Sequence, residues 1–324
     1  YIIHENDAWI ESLKGFLDEM NQPYVDWFAH EGKIDLDSVP PEGVFYNRMS
    51  ASSHTRDHRY AVEFTETLLS WLEAHDRRVI NGRKALTLEV RKTEQLLAQK
   101  RFGIKSPRSI MANNAHDLVK AAKELNLLPF IVKPNRGGKG LGVKMYNTVA
   151  QLEDDVANGQ APESLDGNCL VQQYVKPRDG RITRVEMIGG KYYYAVSVDA
   201  SGGFELCPAD VCNLEGAFCP ADSNEQPEGT AAKFKLIENY VNPDLDKYVD
   251  LLKWANIEIG AVEYAEDENG DRFVYDININ TNYNSGAEKE LDNEFQGMRR
   301  IAEFLRSELQ VLEHIKIGQT ARRA

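Results

Sequence analysis

The stretch PFIVKPNRGGKGLGVKMYN, residues 129–147, decides the fold class. Its outer parts, Phe130–Lys133 and Gly142–Tyr146, are short strand-like runs, and between them Gly137, Gly138, Gly140 and Gly142 are interleaved with Arg136 and Lys139. That pattern predicts a hairpin with a flexible, cationic tip. Glycines let backbone N–H groups approach anionic oxygens without a Cβ in the way, and Lys133, Arg136 and Lys139 bring positive charge to the same place. The stretch is neither GxxxxGK[ST] nor a strand–GxGxxG–helix unit, because VKMY after Gly142 is strand and not helix. On its residues alone it fits a phosphate-binding loop or a surface hairpin.

Upstream, strand-like and helix-like runs alternate. YIIH (1–4), VFY (44–46) and Val79–Ile80 have strand character, Ala8–Met20 and His58–Ala74 carry apolar residues at helical spacing, and PYVDWF (23–28) is an aromatic run set off by Pro23. This βαβαβ order predicts an α/β domain over 1–90. Helices at Leu88–Lys100 and Ala115–Asn126 and a strand at SPRSIM lead into the glycine hairpin. Downstream, NCLVQQYV (168–175), a hairpin over 182–198 turning at Gly189–Gly190, and a hairpin over 257–280 turning at Asn269–Gly270 make the second half richer in strands. Helices are expected over 231–254, interrupted at Pro243, and over Glu294–Leu312, with 316–324 a frayed tail.

The 324 residues allow two or three domains. With 38 Lys+Arg against 51 Asp+Glu the net charge is −13, so the whole surface repels nucleic acid and anionic membranes, and any anionic ligand must be held locally. No stretch approaches the roughly 18 apolar residues of a membrane-spanning helix, and acidic residues interrupt YIIHENDAWIESL, so a cytoplasmic protein is expected. Cys169, Cys207, Cys212 and Cys219 match no paired CxxC zinc pattern, which predicts reduced thiols. No Ser–His–Asp or Cys–His nucleophile is apparent.

A second signal lies in FVYDININ. Asp276, Asn278 and Asn280 alternate with Tyr275, Ile277 and Ile279, so a period of two places the three oxygen-bearing side chains on one face, with Glu263 on the partner strand. Carboxylates and amide oxygens are hard ligands suited to Mg²⁺, and the same alternation also describes a solvated sheet face.

In order along the chain, Lys92, KPNRGGKGLGVK, LVQQYVKP, ITRVEMI and GAVEYAED…FVYDININ resemble the ATP-grasp superfamily, and more closely its RimK-like carboxylate–amine ligases. The resemblance runs over about residues 90–312. It implies an α/β protein, α+β in its C-terminal half: an N-terminal Rossmann-like pre-ATP-grasp domain (1–90), a small ATP-grasp subdomain (91–172) and a C-terminal subdomain with the metal site (173–315). It further implies ATP and Mg²⁺, with Mn²⁺ as the alternative ion. Lys92 and Lys133 would contact phosphates, and the loop with Arg136, Gly137, Gly138, Lys139 and Gly140 would close over them. Gln173, Tyr174 and Val175 match the segment that reads adenine, with Lys176 or Asp179 near the ribose. Glu263, Asp276 and Asn278 match metal ligands, Arg184 matches an arginine on an acyl phosphate, and Asn280 is placed for substrate or a second metal.

The loop NRMSASSHTRDHR (47–59) follows VFY at the sheet end where open α/β sheets bind ligands. Arg48, Ser50 and Ser53 are candidates to fix a substrate carboxylate, the alternative being a polar loop that caps the next helix with Asp57 as its N-cap. The implied activity is ATP-dependent joining of a small-molecule carboxylate to an amine, of amino-acid or peptide type, through an acyl phosphate. Homo-oligomers are common among similar ligases. A kinase acting on a small hydroxyl compound and a non-catalytic ATP-binding regulator are the other function classes.

Overall fold

The computed structural model describes residues 1–138, 140–200, 234–283, 288 and 296–323, with side chains through residue 317. Strands β1 (Ile2–His4), β2 (Asp26–Phe28), β3 (Val44–Asn47) and β4 (Arg78–Ile80) form a parallel sheet in the order β2-β1-β3-β4. Alternation sorts its side chains. Ile3 and Phe45 pack with Leu68, Leu69 and Leu72 of α2 (Ala61–Ala74) and Leu86 of α3 (Arg83–Val90). Ile2, Val44 and Tyr46 face the other way, onto Leu13 and Leu17 of α1 (Glu11–Glu19) and a second core. Asp57 does not cap α2; it sits in the left-handed region at φ 63° and closes a 3-10 turn over Ser53–Arg56, and the helix begins at Ala61.

The helix expected over Leu88–Lys100 is broken. Arg91 is extended, so α3 ends at Val90 and α4 (Lys92–Arg101) starts afresh with Lys92 in its first turn. The middle sheet is antiparallel, β5 (Ser109–Ala112), β8 (Cys169–Gln173), β6 (Phe130–Pro134) and β7 (Lys144–Tyr146) in the order β5-β8-β6-β7. Phe130, Val132 and Val171 bury one face with α5 (Ala115–Leu125) and α6 (Val149–Ala157), leaving Ile131, Lys133 and Gln172 on the other. Helix α6 was not expected; its signal is the capping box of Thr148 and Gln151.

The C-terminal sheet is antiparallel in the order β11-β10-β9-β12-β13, with β9 (Arg181–Ile188), β10 (Lys191–Asp199), β11 (Phe234–Leu236), β12 (Ile259–Glu266) and β13 (Arg272–Asn278). The helix expected from residue 231 is corrected over the described residues 234–254: Phe234 and Leu236 pair with Val198 and Val196, burying both apolar side chains with Lys235 exposed, and of these residues only α7 (Leu245–Trp254) is helical. Val185, Met187, Val262 and Ile277 bury one face of the sheet against α7. Helix α8 (Gly297–Arg323) packs on α1 and extends past Leu312 through most of the expected tail. Among the described residues no helix is long and apolar enough to cross a membrane. Cys169 is free and buried, and the other three cysteines lie outside the described residues.

A polar seam ties the first sheet to the last. Asn81, buried at φ 57°, donates from Nδ2 to the Ile259 carbonyl at 2.6 Å and accepts at Oδ1 from the Glu258 N–H at 3.0 Å. Asn47 donates to the Asn81 carbonyl at 2.8 Å. Asparagine tolerates the left-handed backbone and supplies both donors and acceptors there.

Candidate active site

A cavity of about 520 Å³ is lined by the middle and C-terminal sheets together with the loop after β3, a volume within the usual range for small-molecule sites. Strand register builds its floor. Arg184 of β9 lies opposite Glu263 of β12, and Glu263 lies opposite Asp276 of β13, so three charged side chains form one row across the sheet. Glu186, two residues from Arg184, shares its face. Arg184 donates from Nε to Glu186 Oε1 at 2.5 Å and from Nη1 to Glu263 Oε1, and all three residues are buried. Burial works against the guanidinium charge, but the two glutamates outweigh it and raise the arginine's pKa. Burial also raises the Glu263 pKa, with Arg184 opposing. The ladder slips by one residue between Glu263–Asp276 and Tyr264–Val274, a bulge that brings Tyr275 to the cavity, where its hydroxyl donates to Glu263 Oε2 at 3.2 Å. Asn278 donates to Glu263 Oε1 at 3.2 Å.

Two lysines face this row. The Lys92 N–H donates to the Asn135 carbonyl at 3.0 Å, and the Thr93 N–H donates to Asn135 Oδ1 at 2.9 Å, so the end of KPN fixes the start of α4. Lys92 Nζ is bonded to Asp276 Oδ1. Burial lowers the Lys92 pKa, yet Asp276 more than restores it. Lys133 is buried beside Lys92, and burial with that neighbouring charge lowers its pKa to about 8. Glu89, buried behind the row, accepts from the Ile279 N–H at 2.7 Å, and burial raises its carboxyl to about 7. Gln95 holds β13 in place by accepting from the Ile277 N–H at 3.0 Å and donating to its carbonyl at 2.7 Å.

Gly137, Gly138 and Gly140 border the cavity. A Cβ on Gly138 would stand 3.4 Å from Ser52 Cβ, which places the hairpin tip directly on the loop after β3. Gly142, at φ 73° with Pro134 only 3.0 Å from where a Cβ would be, admits no larger residue without strain. Lys139 lies outside the described residues. Arg136 does not line the cavity; it pairs bidentately with Glu63 of α2 at 2.6 and 3.0 Å.

Gln173, Tyr174, Val175 and Lys176 line the far end with Ile131, Met145 and Phe273. Asp179 is exposed and outside the cavity, and Arg178 lines it instead. Ser50 and Asn280 line the cavity, as do Glu263, Asp276, Asn278 and Arg184. Arg48 is buried off the cavity and bonded to the segment after β13. Ser53 is buried outside it as well. Trp9, Ser52, Glu89 and Asn282 line the cavity without having been singled out in the sequence. For Ser52 and Asn282 a signal existed, since each continues a polar run already noted.

Residues 88–204 match the family of RimK-like ATP-grasp domains. A RimK domain ATP-grasp protein from Sphaerobacter thermophilus has the same fold over 94% of this chain and 98% of its own, with a TM-score of 0.63 at 14% identity. The chain has the ATP-grasp fold, with a RimK-like segment at 88–204. The ATP-grasp ligase PsnB, solved with a minimal precursor, Mg and ADP, likewise aligns over 95% of this chain and 98% of its own, with a TM-score of 0.62 at 14% identity. The ATP-grasp architecture expected from the motifs is therefore the one observed. In sequence, a probable alpha-L-glutamate ligase 2 from Pseudoalteromonas atlantica is 31% identical over 109 residues, which is 34% of this chain and 35% of that protein. The matched segment thus spans about a third of that curated relative's length.

Proposed function

We propose that this ATP-grasp protein is an ATP- and Mg²⁺-dependent ligase joining a carboxylate to an amine, with ADP and phosphate as products. The observation that carries this reading is the Arg184–Glu263–Asp276 row facing Lys92 and Lys133 in one cavity beneath the glycine hairpin. A carboxylate does not condense with an amine in water, because its oxygen is a poor leaving group. Transfer of the γ-phosphoryl group to that oxygen releases ADP and gives an acyl phosphate. The amine then attacks the carbonyl carbon, phosphate departs and the amine loses a proton. Such transfer needs positioning and charge neutralisation and little covalent machinery.

Each residue has a task in this scheme. Lys92 and Lys133 donate to phosphate oxygens, and the backbone N–H groups around Gly137, Gly138 and Gly140 cover them and exclude water. Arg184, held by Glu186 and Glu263, stabilises charge on the acyl phosphate and the departing phosphate. Gln173 to Lys176 hold the base and ribose, and Ser50 and Asn280 contact substrate. The donor set fits a hard cation, since two carboxylates and an amide stand on paired strands of one face; Glu263, Asp276 and Asn278 would hold Mg²⁺. The ion would draw negative charge off the phosphates. The name of the relative, a glutamate ligase, supports an amino acid or peptide as one substrate.

The test is ADP release with ATP and Mg²⁺ against amino acids offered singly and in pairs, followed by mass spectrometry. Release that needs two components and gives a product lighter than their sum by one water is the expected result. A phosphorylated single substrate, or no turnover with nucleotide bound, would overturn the reading.

Lys133 gives a pH signature. Its pKa in the free protein is lowered to about 8, so its charge is complete below that pH and lost above it. Nucleotide affinity is expected to hold below pH 8 and to fall above it by up to about tenfold per unit. Lys133→Ala should lower affinity by about 10- to 100-fold, the size of a charged hydrogen bond, and flatten the profile. Calorimetric titrations at pH 7, 8 and 9 check this, and an unchanged slope in the variant would remove Lys133 from phosphate binding.

A further inference from the structure

Arg48 is 1% exposed and has no carboxylate partner among the described residues. Neutral oxygens hold it instead: Nη2 donates to Asn280 Oδ1 at 2.9 Å, to the Thr281 carbonyl at 3.1 Å and to Asn282 Oδ1 at 2.8 Å. The contrast with Arg184, which meets two glutamates, is direct. A buried cation that no anion balances is unfavourable until one arrives. Both asparagines line the cavity and Arg48 does not, so the charge stands one amide behind the wall.

Amide geometry says what that wall presents. With each oxygen turned to the guanidinium, the NH₂ groups point elsewhere. Asn280 spends one of its hydrogens on the Arg48 carbonyl at 2.9 Å, which clamps it at both ends and leaves one N–H. Asn282 donates to no described group from its NH₂. A cation at the oxygen end polarises an amide and strengthens its N–H as a donor.

We propose that Asn280 and Asn282, backed by Arg48, form a corner that binds a second, non-reacting carboxylate of the acid substrate. The proposal rests on the ligase reading and narrows its substrate to a dicarboxylic acid, amino acid or peptide with a free carboxylate. The reacting carboxylate belongs with Lys92, Lys133 and Arg184. Asn280 and Asn282 lie two and four residues beyond Asn278, so a group bound there is displaced from the reacting one. Arg48 is a positioning residue, acting through the two amides.

The test needs no turnover. Succinate, glutarate and adipate are titrated calorimetrically into the full chain saturated with ADP and Mg²⁺, each against the monocarboxylate of equal carbon number. The expected result is at least a tenfold preference for one dicarboxylate in the wild type. Asn282→Ala should reduce that preference to near parity without changing ADP affinity, and Arg48→Lys, which keeps the charge but not the double grip, should retain only part of it. No preference in the wild type, or full preference in Asn282→Ala, overturns the proposal; full preference in Arg48→Lys overturns the positioning role. Failure of the ligase reading is seen separately, as absent ADP release with every acid–amine pair.

Discussion

Arg184→Ala is expected to lose turnover and stability together. The guanidinium lies between Glu186 and Glu263, and none of the three is exposed to water. Removing it strips two buried carboxylates of the cation they share, a cost of about 3–5 kcal/mol. Melting should drop by roughly 10 °C, and turnover by at least about a thousandfold if the arginine meets developing charge on the transferred phosphoryl group. The two effects separate in a second variant. Arg184→Ala with Glu186→Gln removes one stranded charge and should recover part of the melting temperature, while ADP release stays lost. Recovery of turnover along with stability would make Arg184 structural and leave the acyl phosphate without its stabilising cation.

Asp276→Asn is expected to be as damaging to turnover but gentler on the fold. The substitution keeps the shape and one acceptor oxygen while removing the charge that balances Lys92 and that would hold the metal. ADP release should fall by about a thousandfold, as for a lost electrostatic contact in a dry site. Nucleotide affinity without Mg²⁺ should change little, and the gain in affinity on adding Mg²⁺ should vanish. Paired calorimetry with and without the ion reads this directly. A folded Asp276→Asn protein with normal turnover would sink the metal assignment.

What the sequence made legible was local. The glycine hairpin, the turns at Gly189–Gly190 and Asn269–Gly270 and the polar face of FVYDININ all rest on neighbours within a few residues, where spacing is sufficient. The surroundings of Arg136 and Arg48 were hidden for the opposite reason. Each is claimed by a partner far along the chain, Glu63 at a separation of 73 residues and Asn280 at 232. Phe234–Leu236 belongs to the same group, since only pairing with β10 makes a strand of three residues. The start of α4 at Lys92 depends on Asn135, just past β6.

The seam at Asn81 and the grip of Arg48 also bear on how far this chain can be divided. The segment recognisable by family, 88–204, holds Lys92, Lys133, Arg184 and the glycine hairpin. Cut out, it would carry three cations stripped of Glu263 and Asp276, and β9 would present a bare edge where β12 now pairs, an invitation to aggregate. The piece that is easiest to recognise is thus smaller than the piece that can work. Inheritance of the site as a unit requires the residues before 88 and the stretch from 258 onward to travel with it.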